Sequence, residues 1–117
     1  MLIVVGGFSS LREAPGGPRF ADGDRVPPEY AGEAREVVRV LSVLQGVAAD
    51  WVFVSPAAEF GADGPDDVRG EYRLHGDVAV FSEDGESVIS GADFAQGIMG
   101  IALSDERHSR EHLSLSY

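Results

Sequence analysis

Two short runs of apolar residues place the strongest constraint on the fold of this chain. Residues 2–5 (LIVV) and residues 51–54 (WVFV) are continuous rather than alternating, and each is followed by turn-forming residues. A continuous β-branched run of this length is typical of a strand that is covered on both faces, as in a parallel sheet. The two runs therefore predict two buried parallel strands.

The segment between these runs has helical periodicity. Over residues 29–48 the apolar side chains recur at steps of three and four, which predicts an amphipathic helix. The apolar positions are Val37, Val40, Leu41, Leu44 and Val47. Strand, helix and strand form a βαβ unit, which is expected to be right-handed because nearly all such crossovers are.

Residues 12–28 separate the first strand from this helix and contain four of the six prolines and three glycines. The composition predicts a long loop without a regular element. Loops of this length in a compact domain are usually functional lids or disordered segments.

The remainder of the chain predicts smaller elements. Residues 71–90 alternate like short antiparallel strands, and Asp84-Gly85 is a hairpin turn signal. Residues 111–117 alternate again and predict a last strand.

A second helix is predicted between the hairpin and the last strand. Ser90 and Asp93 have the spacing of a capping box. The expected buried stripe of this helix is Phe94, Ile98, Ile101 and Ala102.

Length and charge limit the class of protein. A chain of 117 residues is expected to be a single domain, 1–117. The net charge is −11, all nine basic residues are arginine, and there is no cysteine. Such a surface repels nucleic acid and anionic lipid, and no targeting or membrane segment is recognisable. We therefore expect neither as a partner, and a cytoplasmic location.

Two sets of residues suggest metal chemistry, and each has a simpler interpretation. Residues 108–112 (HSREH) match the H-x-x-E-H pattern of one zinc protease class, but the match straddles a helix end and a strand rather than one helix. Asp63, Asp66 and Asp67 lie in a glycine-containing loop without the ligand spacing of an EF-hand. We predict a polar turn there and no metal site. His75 is expected at a surface strand end, and Trp51 in the core.

The best candidate site lies at the carboxyl ends of the two parallel strands, where ligands bind in open α/β sheets. Gly6, Gly7, Phe8 and Ser9 follow the first strand. The second is followed by Ser55, Pro56 and Ala57. The glycines either permit close approach of a ligand to the backbone or simply terminate the strand, and the sequence leaves both open. No G-x-G-x-x-G follows either strand, so the usual pyrophosphate-binding turn is missing.

Taken together, several stretches are similar to one protein family in their order and spacing. They are VVGGFSSL, PPEYAGEAREVVRVL, DWVFVSPAAEF, GEYRLHGD, DGESVISGADFAQGIM and HLSLSY. The chain resembles the C-terminal half of atypical short-chain dehydrogenase/reductases, in the NAD(P)H-binding group of NmrA-like proteins and NADH-flavin reductases. The resemblance implies an α/β, truncated Rossmann-like domain, a partial doubly wound sheet. It also implies an NAD(P)H cofactor and an oxidoreductase activity.

The resemblance further implies that the seven candidate residues approach the nicotinamide end of the cofactor. The family's Gly-rich first half has no counterpart in these residues. The Tyr-x-x-x-Lys pair of better-known members is also missing, because Ala34 stands at that spacing from Tyr30 and the chain has no lysine. We therefore assign no catalytic residue.

Two functions follow from the resemblance. One is a half-domain that has lost autonomous dinucleotide binding and acts as a dimeric or small-ligand-binding module. The other is an NAD(P)H-dependent reductase whose first half comes from another chain or an upstream start. In either case an exposed edge of the first strand is expected to pair, in a homo-oligomer or with a separate chain.

Overall fold

The fold is a four-stranded mixed sheet with one helix on each face. The computed structural model describes residues 1–106 and 108–117, without the side chain of Asp63. The strands are β1 (Leu2–Val5), β2 (Trp51–Ser55), β3 (Arg73–His75) and β4 (Glu111–Ser116), in the spatial order β1-β2-β4-β3. β1 and β4 are parallel to β2, and β3 is antiparallel to β4. The predicted α/β class and parallel βαβ unit are confirmed.

β2 is the centre of both hydrophobic clusters, because its side chains alternate between the two faces of the sheet. Trp51 and Phe53 pack on helix α1 (Pro28–Gln45) through Leu41 and Leu44. On the opposite face, the core lies beneath helix α2 (Gly91–Leu103). It consists of Val52, Val54, Ala57, Ile89, Phe94, Ile101, Leu113 and Leu115. All five residues of β2 are buried, which explains the continuous apolar run in the sequence.

α2 begins as predicted, but one residue of its predicted stripe is wrong. The Ser90 hydroxyl accepts a hydrogen bond from the Asp93 amide at 3.1 Å, as in a capping box. Ala102 is exposed, because it lies 100° around the helix from the buried Ile101. Gly97 is buried in the stripe instead, and a Cβ there would lie 2.5 Å from the Leu115 side chain.

The predicted hairpin is also wrong in its pairing, although its turn forms. Gly85 has φ of +79°, and the Ser82 amide donates to the Glu86 carbonyl at 2.8 Å. The flanking residues then diverge: Val78 bridges to Arg12, and Val88 bridges to Glu59. The antiparallel pair in the sheet is β3 with β4. The turn residues determine only a local reversal of the chain. The partner of each strand depends on which distant strand has backbone amides and carbonyls available for pairing.

The loop of residues 12–28 is an integral part of the core rather than a separate flap. A bridge joins Arg12 to Arg19, and a short 3-10 helix follows at Phe20–Asp22. Phe20 and Ala21 are buried. The loop therefore holds a defined surface beside the carboxyl end of β1.

The outer edge of β1 has no neighbouring strand among the described residues. Leu2 and Val5 are each more than half exposed, and so is Val43 on α1. β1 is therefore an edge strand of the described sheet. Among the described residues, no helix has the length and apolar character needed to cross a membrane.

The two glycines after β1 have different surroundings. At Gly6 a Cβ would overlap the ring of Phe53, and the Gly6 amide donates to the Val54 carbonyl at 2.8 Å. At Gly7 the nearest such contact would be Val37 Cγ1, at 4.0 Å. Gly6 is therefore needed for close packing of β1 on β2, and Gly7 is not.

Substitutions at these glycines should separate the two roles. Gly6→Ala is expected to lower the free energy of unfolding by about 1–3 kcal/mol, because the buried Phe53 ring must move. Gly7→Ala should change it by less than about 0.5 kcal/mol, because its backbone is extended and its surroundings are open. Urea denaturation followed by circular dichroism measures both values. Equal losses for the two variants would contradict this assignment.

Candidate functional site

A cleft opens at the carboxyl end of β1, where the sequence predicted a site. It lies between the 3-10 turn Phe8–Ser10, the loop of residues 12–28 and the first three turns of α1. Two adjoining parts share the lining residues Phe8, Ser9, Val26 and Tyr30. We call them the inner part, with a volume of about 210 Å³, and the outer part, with a volume of about 490 Å³.

The inner part has a mixed lining that is more apolar than polar. Gly7, Ser10, Glu33, Ala34 and Val37 complete its lining. The Ser10 side chain is buried, and its hydroxyl has no hydrogen-bond partner among the described residues. A buried hydroxyl without a partner is costly, so it favours a polar ligand group or a water molecule nearby.

The outer part is mainly aromatic. Phe20, Arg25, Pro27 and Phe81 complete its lining. The Phe8 and Phe20 rings lie 4.9 Å apart between centroids, tilted by 30°. Phe81 meets Phe8 edge-on at 6.2 Å. The long loop forms this wall, since Phe20 and Arg25 both belong to it.

The structure brings only part of the predicted site together at the cleft. Gly7, Phe8 and Ser9 line it. Gly6 does not line the cleft and packs against the Phe53 ring. The second group, Ser55, Pro56 and Ala57, is buried at the end of β2 and lines neither part of the cleft. Their predicted contact with a cofactor remains a prediction.

Ser55 is instead paired with a histidine from β4. Its hydroxyl lies 2.8 Å from His112 Nε2, and the imidazole packs edge-on against Phe53 at 5.0 Å. Burial is the main cause that lowers the pKa of His112 to about 4, with further lowering by Arg19 and Arg12 against an opposing effect of Asp77. The ring is therefore neutral at pH 7. Ser55 and His112 line neither part of the cleft, and their hydrogen bond joins β2 to β4, so we assign the pair a structural role.

The two histidines of the H-x-x-E-H match have different partners. His108 Nδ1 lies 3.0 Å from Glu111 Oε2, whereas His112 turns onto Ser55. Within the described part of the chain, no group of three or more histidine, aspartate and glutamate side chains is arranged to hold a metal ion. The match extends from a loop into β4, and not from the predicted helix end, because α2 ends at Leu103, before His108. Trp51 is buried in the core as predicted, and His75 ends β3, where burial followed by Arg73 lowers its pKa.

A second buried polar group lies on the opposite face, at the start of α2. The Asp93 carboxylate accepts hydrogen bonds from the amides of Arg69 and Gly70 at 2.8 and 3.0 Å and from the Tyr117 hydroxyl. The Tyr117 hydrogen bond is the main cause that lowers the pKa of Asp93. Arg69 also stacks on the Tyr117 ring at 3.9 Å. Asp93 thus joins α2, the loop before β3 and the end of the chain.

The aspartate-rich loop contributes to this structure. Asp67 Oδ2 pairs with Arg69 Nε at 3.2 Å. This pair is consistent with the predicted polar turn. Asp63 lies outside the side chains that the structure describes.

The partly buried His112 should make stability depend on pH. Its folded pKa lies below the unfolded value, so the unfolded chain binds more protons between about pH 4 and 6.5, and stability rises with pH across that window. Acidification from pH 7 to pH 4 should therefore remove about 3 kcal/mol through this group. The full contribution is present above the unfolded pKa.

Urea denaturation at several pH values tests this prediction with His112→Gln. The variant should lose most of the slope between pH 4 and 6.5, and His75→Gln is the matched control with a smaller expected change. Asp93 acts in a lower window, because a carboxylate with a lowered pKa loses its contribution as pH falls through that pKa. An unchanged slope in His112→Gln would show that the imidazole is not the responsible group.

Comparison with known proteins places this geometry in context. No protein-family model matches the chain, and no curated protein matches it. A solved structure of a "putative NADH-flavin reductase" from Streptococcus pneumoniae is 34% identical, with a TM-score of 0.88, over 97% of this chain and 54% of that one. A "putative epimerase" from Bacteroides thetaiotaomicron is 32% identical, with a TM-score of 0.86, over 98% of this chain and 52% of that one.

A "putative exported protein" from Burkholderia pseudomallei is 30% identical, with a TM-score of 0.84, and the match again covers 54% of that chain. This chain thus spans about half the length of its structural neighbours. The resemblance predicted from the sequence is confirmed: in sequence and in fold, nearly the whole chain is similar to about half of a protein of the atypical short-chain dehydrogenase/reductase group that includes NmrA-like proteins and NADH-flavin reductases.

Proposed function

We propose that this chain is a half-domain of an NAD(P)H-dependent oxidoreductase fold that holds the nicotinamide end of the cofactor in the inner part of the cleft. The observation that carries the proposal is the open face of Gly7 beside the unpartnered Ser10 hydroxyl. A flat ring can approach the backbone at Gly7 because no side chain intervenes. Ser10 and the carboxylate of Glu33 offer hydrogen bonds to the carboxamide of that ring.

The size of the inner part suits this assignment. Its volume of about 210 Å³ is several times the share of one water molecule in the liquid, roughly 30 Å³. A reduced nicotinamide bound there would supply a hydride. The chain's own residues would orient the ring and exclude water from one side of it.

The phosphate end of the cofactor does not fit the described residues equally well. β1 is followed by a three-residue 3-10 helix rather than by a long helix whose amides could hold a pyrophosphate. The half-domain is therefore proposed to bind the dinucleotide weakly and to have no turnover by itself.

Binding of two reduced cofactors tests the proposal. Reduced nicotinamide mononucleotide and NADPH should bind with Kd values that agree within about threefold, because the adenosine half of NADPH finds no site in this chain. Cofactor fluorescence on titration with protein measures both. NADPH binding that is about a hundredfold tighter would show an autonomous dinucleotide site instead. No binding of either cofactor at millimolar concentration would overturn the proposal.

A variant links that binding to the cleft. Gly7→Val should abolish binding of reduced nicotinamide mononucleotide by filling the inner part, with little change in the melting temperature. Gly32→Val is the matched control, since Gly32 lies on α1 outside the cleft lining and a Cβ there would meet no atom within 4 Å. If Gly7→Val unfolds the protein, then Gly7 has a backbone role and the assignment is wrong.

A second candidate function is a complete NAD(P)H-dependent reductase in which another chain or an upstream segment supplies the Gly-rich half. This candidate is favoured because the chain matches only about half of the length of each structural neighbour. In-frame coding sequence upstream of Met1 that encodes a strand followed by a glycine-rich turn would support this candidate over the isolated half-domain.

We also propose that the free edge of β1 pairs with a second copy of the chain. The Leu2 amide donates to the Asp50 carbonyl, just before β2, at 3.0 Å, and the Gly6 amide donates to the Val54 carbonyl of β2 at 2.8 Å. Since alternate residues of a strand face opposite neighbours, the amides of Ile3 and Val5 point to the open edge. Leu2 and Val5 of this strand are each more than half exposed and would supply apolar contact in such a pair.

Sedimentation equilibrium at micromolar concentration tests this pairing. The wild-type chain and Val5→Ala should sediment as dimers, whereas Val5→Pro should sediment as a monomer, because proline removes the outward amide without removing a bond to β2. A cooperative wild-type monomer would contradict the proposal.

The proposed compartment is the cytoplasm, although the neighbour from Burkholderia pseudomallei is named as an exported protein. Fractionation of cells that express the native gene, followed by immunoblotting, distinguishes the two locations.

A further inference from the structure

We propose that Arg19 is a positioning residue for the inner part of the cleft, where its guanidinium holds the Ser10 carbonyl and so orients the Ser10 hydroxyl toward the ligand. This inference rests on the proposed function, because it takes reduced nicotinamide as the ligand of the inner part. It adds the residue behind the cleft that determines how Ser10 is presented.

The 3-10 turn Phe8–Ser10 has little stability of its own. It contains three residues, and its N-terminal end has no hydrogen bond from a capping side chain. The Ser10 amide donates to the Gly7 carbonyl at 3.2 Å, and the Leu11 amide donates to the Phe8 carbonyl at 2.9 Å. Such a short helix depends on contacts with the rest of the fold, because its few hydrogen bonds do not offset the loss of backbone freedom. A contact from outside the turn must therefore fix its orientation.

Arg19 supplies that contact from the loop of residues 12–28. Its Nη1 donates to the Ser10 carbonyl at 2.7 Å, a charge-assisted hydrogen bond between residues nine positions apart. The Phe20 amide donates to the Leu11 carbonyl at 3.1 Å and aligns the loop along the end of the turn. Arg19 lines neither part of the cleft, so it acts on a ligand only through the residues that it holds.

The burial of Arg19 makes this hydrogen bond important. Arg19 is 8% exposed, and burial is the main cause that lowers its pKa, followed by the charge of Arg12, against opposing effects of Asp77 and Asp22. Within the described part of the chain, no carboxylate forms an ion pair with Arg19. A buried guanidinium stays charged at neutral pH and requires hydrogen-bond acceptors to offset the loss of water. The Ser10 carbonyl is the acceptor that the described structure provides.

Ser10 connects this buried cation to the cleft. Arg19 holds its carbonyl, whereas its hydroxyl has no partner among the described residues, and Ser10 lines the inner part. A serine side chain rotates about a single bond, so the directions open to its hydroxyl follow from the backbone that carries it. Fixing the carbonyl therefore orders the hydroxyl before a ligand binds, which reduces the entropic cost of binding.

A double-mutant cycle on the affinity for reduced nicotinamide mononucleotide tests this role. Arg19→Met and Ser10→Ala should each raise the Kd by about fivefold, the effect of losing one hydrogen bond. In the Ser10→Ala background, Arg19→Met should raise the Kd by less than about 1.5-fold, because the hydroxyl that it positions is gone. Arg19→Lys should stay within about twofold of the wild type, since an ammonium group also donates to a carbonyl.

Stability separates positioning from a general loosening of the loop. Arg19→Met should lower the urea midpoint by the same amount in both backgrounds, because the loop loses the same bond whether or not residue 10 carries a hydroxyl. Arg12→Met is the matched control, since Arg12 belongs to the same loop but pairs with Asp77 at 3.2 Å and donates to the Gly17 carbonyl. It should lower the midpoint and change the Kd by less than about twofold.

The outcomes distinguish this inference from the proposed function. Equal effects of Arg19→Met on the Kd in both backgrounds would overturn the positioning role alone. A Kd raised as much by Arg12→Met or Arg19→Lys as by Arg19→Met would also overturn it. If Arg19→Met does not fold, Arg19→Gln takes its place in the cycle with the same expected non-additivity. If the wild-type protein does not bind reduced nicotinamide mononucleotide at all, the proposed function is wrong and this inference is wrong with it.

Discussion

The complete burial of β2 between two helices is the constraint on which the rest of the structure depends. Because its side chains alternate, Trp51 and Phe53 hold α1 on one face, while Val52 and Val54 hold α2 on the other. The position of α1 and the end of β1 then determine where a cleft can open. Close contact of Gly6 with Phe53 brings β1 against this strand and directs the following turn outward.

The polar side chains of the interior have a related role. The hydrogen bond between Ser55 and His112 joins β2 to β4 on the α1 face. On the other face, the Asp93 carboxylate accepts a hydrogen bond from Tyr117, the last residue of the chain. Both groups are buried, so each depends on its partners to offset the loss of water. Neither group lines the cleft, so we assign both to structure, although serine, histidine and aspartate often serve in catalysis. The cleft is lined by other residues, among them Gly7, Ser10 and Arg25.

Much of the fold could be predicted because its signals are local or periodic. The apolar runs of β1 and β2, the helical spacing of α1 and the cap at Ser90 each lie within a few residues. The site was predicted less completely. The Gly7–Ser9 side of the cleft follows from the rule that ligands bind at the ends of parallel strands. Phe20, Arg25 and Phe81 gave no such signal, because the first two lie in an irregular loop and Phe81 lies far along the chain, so that all three meet only when the chain folds.

By itself, the sequence determined the parallel βαβ unit, the absence of cysteine and lysine chemistry, and the similarity to a reductase group, since these depend on composition, periodicity and the order of short motifs. Only the tertiary structure decided which strand pairs with β3, which of two adjacent glycines lines the cleft, and that His112 turns onto Ser55. Each of these depends on contacts between residues distant in sequence. Such contacts are selected by the packing of the whole core, and no local preference encodes them.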